Sequence, residues 1–236
     1  MRVRKKTAIL ISGRGSNMTA LIRAAAEADF PAEIACVLSD KADAPGLAAA
    51  IAAGIPAVAV PRSEFSDKAS HEAAIEEALG QHGVELICLA GFMRMLSAEF
   101  VERWQGRMIN IHPSLLPLFK GLDSHRKALD AGMRIHGCTV HFVTHEMDAG
   151  PIIAQAATPV LPGDDEASLA ERVLKAEHRL YPLALSLVAS GRARVEEGRT
   201  FFAPTVDIGW GAQASLMVPS SVEETADLED LARLTP

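Results

Sequence analysis

Two polar residues that are two positions apart, Asn110 and His112, lie at the end of an apolar run of strand length. Side chains at i and i+2 of a strand point to the same side, so both would face one site. An asparagine amide can donate a hydrogen bond to a developing oxyanion, and a histidine can give or take a proton near neutral pH. From these residues alone, a catalytic pair and a hydrogen-bonded turn both remain open.

A glycine-rich segment, SGRGSN at residues 12–17, lies between the first predicted strand and the first predicted helix. Glycines let the backbone approach a ligand, and a helix N-terminus offers free N–H groups to an anion. A P-loop would need a Lys-Ser or Lys-Thr pair here, and a dinucleotide fingerprint would need Gly or Ala at Met18. Asp40 does occupy the place of a ribose-binding acid, so a nicotinamide site stays open. The other readings are a plain tight turn and a small phosphate site formed by Gly15, Ser16 and Asn17.

The segment HFVTHEMDAGP at residues 141–151 combines histidines with acidic residues. Its spacing matches no known zinc-ligand pattern, so we predict no metal. Asp148 is better suited to orient a histidine from elsewhere in the chain, because a carboxylate partner stabilises an imidazolium ion.

Short apolar runs alternate with helical patterns over the first half of the chain. Strands are predicted at residues 7–12, 34–39, 57–60, 86–90 and 108–111. Helices are predicted at residues 17–28, 46–53, 67–81 and 98–104. This alternation is typical of an α/β fold with a doubly wound, mostly parallel sheet.

The pattern changes after Pro113, where a helix at 125–131, strands at 139–143 and 152–157, and a long helix at 168–190 are predicted. We assign residues 1–198 to a single catalytic domain. Residues 199–236 are rich in Gly, Pro, Ser and acidic residues, which predicts a partly disordered C-terminal appendage ending in a helix at 222–234.

The composition excludes several classes of protein. Of 236 residues, 49% are hydrophobic and 22% charged, as is ordinary for a globular chain. The formal net charge of −7 disfavours a nucleic-acid binder. The chain contains neither an apolar run long enough for a membrane span nor a signal peptide, so we expect a cytoplasmic protein. Three scattered cysteines in apolar runs predict buried, reduced thiols.

Five motifs occur in the order found in one enzyme family. They are SGRGSN at 12–17, LAGFMRML at 89–96, INIHPSLLP at 109–117, FKGL at 119–122 and HFVTHEMDAGP at 141–151. From about residue 7 to residue 194 the chain resembles the phosphoribosylglycinamide formyltransferases, the folate-dependent transformylases of purine synthesis. The resemblance implies a Rossmann-like formyltransferase fold.

The resemblance also implies site residues. The implied catalytic residues are Asn110, His112 and Asp148. Glycinamide ribonucleotide would be bound by Gly15, Ser16, Asn17 and Glu177. The folate pocket would contain Lys68, Met93, Arg94, Met95, Leu96, Thr144, His145, Glu146 and Met147. Lys68 replaces an arginine of the family, and a lysine cannot form the same bidentate contact.

The implied reaction is direct transfer of the formyl group of the co-substrate 10-formyltetrahydrofolate to the amine of glycinamide ribonucleotide. The resemblance implies these two small molecules as partners, no metal, and either a monomer or a homodimer. One alternative is a formyltetrahydrofolate deformylase, but such enzymes carry an extra N-terminal regulatory domain, for which a fold beginning near Thr7 leaves no room. A methionyl-tRNA formyltransferase would have a basic C-terminal domain, whereas this tail is acidic. A nicotinamide-nucleotide-binding protein is the alternative from another class.

Overall fold

Seven strands of the computed structural model, which describes residues 3–206, form one sheet. In chain order they are β1 (Lys5–Ile11), β2 (Ala32–Ser39), β3 (Ala57–Ala59), β4 (Leu86–Leu89), β5 (Met108–His112), β6 (Ile135–Phe142) and β7 (Ile152–Pro159). Their order across the sheet is β3-β2-β1-β4-β5-β6-β7. The first five strands are parallel, and β6 runs antiparallel to both β5 and β7. The predicted doubly wound, mostly parallel sheet is therefore confirmed.

Helices cover both faces of this sheet. They are α1 (Ser16–Ala25), α2 (Pro45–Ala52), α3 (Lys68–Gln81), α4 (Ala98–Arg103), α5 (Ser124–Asp130) and α6 (Glu166–Ala189). One buried apolar cluster joins α1, α2 and α6 to the sheet, and a second joins α3 and α4 to its other face. Strands that are covered on both sides are apolar along their whole length, which explains the continuous runs in the sequence.

Side-chain caps define where several helices begin. Asp67 accepts a hydrogen bond from the Ser70 backbone N–H and starts α3. Asp165 and Ser168 form a reciprocal capping box, so α6 starts at Glu166, two residues before the predicted start. A cap of this kind is worth about 1 kcal/mol to a helix. Pro182 lies inside α6, which nevertheless continues to Ala189.

Strand β6 begins at Ile135, four residues earlier than the prediction of 139–143. The prediction was wrong because His136 and Gly137 interrupt the apolar pattern. Gly137 pairs with Ala157 of β7, and a Cβ on Gly137 would lie 1.9 Å from the Ala156 carbonyl oxygen. The glycine is therefore required by the close approach of two strands.

Substitution of this glycine provides a first stability prediction. Gly137→Ala should lower the free energy of unfolding by at least about 2 kcal/mol, because the new methyl group must push two paired strands apart. Gly80→Ala is the matched control, since Gly80 lies in α3 with open space around it. Alanine favours a helix, so the control should raise stability by up to about 1 kcal/mol. Chemical denaturation measures the free energy of unfolding of both variants. Equal changes in the two variants would contradict the conclusion that strand pairing requires Gly137.

The chain continues in ordered structure past the predicted domain boundary at residue 198. Strands β8 (Ala193–Glu196) and β9 (Arg199–Phe202) form an antiparallel hairpin, and the boundary falls in its turn. Gly198 adopts a positive φ of 73° and is a residue of this turn. Phe202 packs against the main apolar cluster. The helix predicted at 222–234 lies outside the described residues.

Strand order places a ligand crevice beside β1. Strand β2, which follows β1 in the chain, pairs with one edge of β1, and β4 pairs with its other edge. In open α/β sheets, ligands bind at the carboxyl ends of the strands where the winding reverses. Tyr181 of α6 ties this region together, because its buried hydroxyl lies 2.9 Å from the Leu89 carbonyl oxygen and 3.1 Å from that of Ile109.

The three cysteines, Cys36, Cys88 and Cys138, are buried free thiols, as the sequence predicted. Among residues 3–206, no helix combines the length and the apolar character that crossing a membrane requires.

Candidate active site

The predicted catalytic residues meet at the carboxyl end of β5. Asn110 and His112 belong to this strand, and Asp148 belongs to the loop between β6 and β7. The His112 Nδ1 atom lies 3.3 Å from the Asp148 Oδ2 atom. Both side chains are nearly enclosed, with 7% and 10% of their surface exposed. A charge pair with so little water around it is stronger than one at the surface.

The two ring nitrogens of His112 face two different loops. The Nε2–H of His112 donates to the Phe119 carbonyl oxygen at 3.0 Å, while Nδ1 faces the Asp148 carboxylate. Both ring nitrogens thus face acceptor oxygens, and only an imidazolium ion has an N–H group on each nitrogen. The site therefore offers an acceptor oxygen to each N–H group of an imidazolium ion.

A second histidine, His141, determines how the Asn110 amide is oriented. Its Nδ1–H donates to the Phe142 carbonyl oxygen at 2.9 Å, and burial lowers the pKa of His141, so its Nε2 atom is an acceptor. The Asn110 Nδ2 atom lies 3.3 Å from this Nε2 and must be the donor. One amide N–H is thereby used, and the other remains available for a ligand oxygen.

The Asp148 carboxylate also joins two loops. Its Oδ2 atom accepts a hydrogen bond of 2.9 Å from the Gly121 backbone N–H, in the segment that follows β5. Asp148 itself adopts a positive φ of 50°, a conformation that Asp and Asn tolerate better than most residues. The loops on both sides of His112 are therefore held together by the residue that pairs with it.

A cavity of about 580 Å³ opens above these three residues. All but one of the predicted folate-pocket residues line it, namely Met93, Arg94, Met95, Leu96, Thr144, His145, Glu146 and Met147. The exception is Lys68, the first residue of α3, whose ammonium lies 4.0 Å from the Glu72 carboxylate and outside the cavity lining. The cavity also includes His125, His141 and Glu166, which the sequence did not assign.

The glycine-rich turn borders the same cavity through Asn17. The Asn17 Nδ2–H donates to the buried Glu177 carboxylate at 2.7 Å, and both residues line the cavity. Gly15, with a φ of 72°, and the exposed Ser16 precede Asn17 at the start of α1 but are not part of the lining. A free helix N-terminus at this point suits an anionic ligand group.

Burial raises the pKa of Glu177 above its ordinary 4.5, and the hydrogen bond from Asn17 offsets this only in part. The native protein therefore binds this proton more tightly than the unfolded chain does. The fold therefore loses stability as pH rises from about 4.5 through the raised pKa of Glu177. The buried carboxylate of Glu177 therefore lowers the stability of the fold near neutral pH, as is common for ligand-binding groups.

Glu177→Gln should remove the loss of stability that the buried Glu177 carboxylate causes. We expect the variant to unfold with a higher free energy than the parent near neutral pH, and the gain should disappear below the ordinary pKa. Denaturation at the two pH values measures this. Glu171→Gln, on the exposed face of α6, is the matched control and should change stability little. A gain of equal size at both pH values would show that packing, not ionisation, is responsible.

The dinucleotide alternative loses its main support in the structure. Asp40, the proposed ribose-binding acid, is buried, and its carboxylate accepts a hydrogen bond of 2.7 Å from Arg94 Nε. Ser12 plays a similar part, because its hydroxyl accepts a hydrogen bond of 2.8 Å from the Met93 backbone N–H. Both residues therefore anchor the wall of the cavity formed by residues 91–97.

Within residues 3–206, no group of three His, Cys, Asp or Glu side chains is arranged to hold a metal ion. The polar groups of the site instead form a chain of hydrogen bonds and one ion pair. This arrangement can bind a developing negative charge beside His112 and can move a proton between His112 and Asp148.

Comparison with known proteins identifies the family of the chain. The sequence profile of the family described as "Formyl transferase" matches residues 5–185. The phosphoribosylglycinamide formyltransferase of Haemophilus influenzae is 42% identical, over 84% of this chain and 93% of its own. The crystal structure of phosphoribosylglycinamide formyltransferase from Brucella melitensis is 60% identical, with a TM-score of 0.77 over 80% of this chain and 97% of that one.

A longer relative shares the same region. The trifunctional purine biosynthetic protein adenosine-3 of Gallus gallus is 50% identical over 81% of this chain. The chain spans only about 19% of the length of that protein. The profile match and the two relatives that are matched over more than nine tenths of their own length agree: the chain belongs to the formyl transferase family, among the phosphoribosylglycinamide formyltransferases.

Proposed function

We propose that the chain transfers the formyl group of 10-formyltetrahydrofolate to the amine of glycinamide ribonucleotide in purine biosynthesis. The observation that carries the proposal is the His112–Asp148 ion pair beside the free amide N–H of Asn110, at the base of a large cavity. Acyl transfer needs a donor for an oxyanion and a route for a proton, and this group of residues supplies both.

The reaction begins when the amine nitrogen attacks the formyl carbon and the carbonyl electrons move to oxygen. Asn110 donates a hydrogen bond to the resulting oxyanion, and the His112 imidazolium adds a positive charge beside it. The tetrahedral intermediate then expels the folate nitrogen. The amine loses one proton and the folate nitrogen gains one, and the His112–Asp148 pair passes the proton between them.

The two substrates take different ends of the site in this proposal. The ribonucleotide phosphate lies on the backbone of Gly15, Ser16 and Asn17, where the α1 N-terminus is free. Glu177 accepts hydrogen bonds from polar groups of the same substrate. The folate lies against the apolar wall formed by Met93, Met95 and Leu96 and by the loop of residues 144–147. A role for Lys68 stays a prediction, because its side chain lies outside this lining.

The test is an assay for deformylated folate with glycinamide ribonucleotide as acceptor, run beside a sample that contains water as the only acceptor. Product that requires the ribonucleotide supports the proposal. Equal product in both samples would identify a deformylase. Tight binding of NAD without affinity for formylfolate would instead support the nicotinamide alternative. A cytoplasmic location, the lack of nucleic-acid partners and a monomeric or homodimeric state remain predictions.

A further inference from the structure

Exposed methionines are concentrated on the walls of the active-site cavity. Met93, Met95 and Met147 are 68%, 59% and 50% exposed, and all three line the cavity. Met18 and Met108, by contrast, are completely buried in the core. Large apolar side chains that are grouped and exposed in this way usually serve to contact a ligand or partner. Their thioether sulfurs are accessible to any small molecule that enters the cavity.

The backbone holds these side chains close to the reacting groups. The Met93 backbone N–H donates to the Ser12 hydroxyl at 2.8 Å, which ties the backbone at this position to the end of β1. Met147 directly precedes Asp148, and its methyl carbon lies 3.5 Å from where a Cβ on Gly121 would be. Gly121 is the residue that donates to Asp148. A change at the Met147 sulfur therefore occurs next to that hydrogen bond.

We propose that Met93, Met95 and Met147 form an oxidative modification site, at which a peroxide converts the thioethers to sulfoxides and lowers affinity for the folate. The inference rests on the proposed function, since that function places the folate against these side chains. In each step the peroxide O–O bond breaks, one oxygen bonds to sulfur, and the other leaves as water. Sulfur is oxidised by two electrons and the peroxide is reduced.

The reaction is reversible, because a methionine sulfoxide reductase returns the thioether. In that step two thiols become a disulfide and the sulfoxide oxygen leaves as water. A sulfoxide is polar and no longer makes the favourable contact of a thioether with an aromatic ring. Loss of such contacts from the wall should raise the KM for formylfolate about tenfold, while the KM for the ribonucleotide changes less.

The cysteines do not compete for the oxidant. Peroxides react with thiolates, and burial raises the pKa of Cys36, Cys88 and Cys138 to about 12 in each case. All three thiols are also buried from solvent. Oxidation of the native protein should therefore fall first on the exposed methionines.

The experiment treats the full chain with hydrogen peroxide and follows three measurements. Peptide mass mapping should find oxygen added at Met93, Met95 and Met147 before Met18 or Met108. The KM for formylfolate should rise over the same period, and a methionine sulfoxide reductase with a dithiol should restore it. A triple variant carries Met93→Leu, Met95→Leu and Met147→Leu. After peroxide treatment this variant should keep a larger fraction of its own starting activity than the parent protein keeps.

Met133→Leu is the matched control, because Met133 is half-buried and does not line the cavity. It should be as sensitive as the parent. Unchanged kinetics after complete oxidation of the three wall methionines, or equal sensitivity of the triple variant, would overturn the inference. Failure of the proposed function can be distinguished from failure of this inference, because untreated protein would then form no ribonucleotide-dependent product. Fluorescence titration of formylfolate before and after oxidation would in that case decide the inference without turnover.

Discussion

Asp148→Asn is expected to lower turnover on the order of a thousandfold while the fold stays intact. Asparagine has the same shape and tolerates the positive φ of 50° at this position. Its side-chain oxygen can still accept from the Gly121 N–H, and its NH₂ group can face the His141 Nε2 atom, 3.7 Å from the carboxylate in the parent. What the substitution removes is the negative charge that stabilises the His112 imidazolium.

Steady-state kinetics with both substrates measures this effect, and thermal unfolding shows whether the fold is retained. The expected loss is in kcat, because the charge is needed when the oxyanion and the moving proton appear. Asp130→Asn serves as the matched control, since it removes one exposed carboxylate at the end of α5 and should keep full activity. If Asp148→Asn retained more than a tenth of parental turnover, the ion pair would not be part of the mechanism.

Asn110→Ala is expected to lower turnover at least about a hundredfold, because an oxyanion donor is worth about 3–4 kcal/mol in the transition state. The Asn110 amide has one N–H directed at His141 and one available for the substrate oxygen. Alanine removes both. Substrate affinities should change less than kcat, since the lost hydrogen bond strengthens only as the oxyanion forms.

Asn110→Asp separates the donor from the shape of the side chain. It keeps the size of asparagine but replaces the donor with a carboxylate, so it should be at least as inactive as the alanine variant. Loss of the His141 contact in Asn110→Ala should cost about 1 kcal/mol of stability, which chemical denaturation can measure. Near-normal turnover of Asn110→Ala would remove this residue from the mechanism.

Much of the fold could be predicted from local patterns. Apolar runs, helical periodicity and glycine-rich turns depend on neighbours in the chain, so they indicated each strand of the sheet and each helix to within a few residues. Errors arose where a distant element dictates the local structure. Gly137 breaks the apolar pattern of β6, yet it is required by the Ala156 carbonyl of the adjacent strand. The composition that predicted an appendage after residue 198 also covers the second strand of the β8–β9 hairpin.

The candidate active site also combines features that depend on neighbours in the chain with features that depend on distant elements. The sequence by itself determined that Asn110 and His112 face the same way at a strand end, that Asp148 lies in a loop and that a free helix N-terminus follows the first glycine turn. It also carried the motifs that indicate the family. These features depend on residue type and spacing along the chain, which local geometry is enough to interpret.

Only the tertiary structure decided how these groups act on one another. The antiparallel pairing of β5 and β6 places His141 opposite Asn110, where it orients the amide. The folded loops bring the Phe119 carbonyl and the Asp148 carboxylate to the two nitrogens of His112. The same packing leaves Lys68 outside the cavity. These contacts join residues far apart in the chain, and their register is set by strand pairing and core packing, which no local pattern specifies.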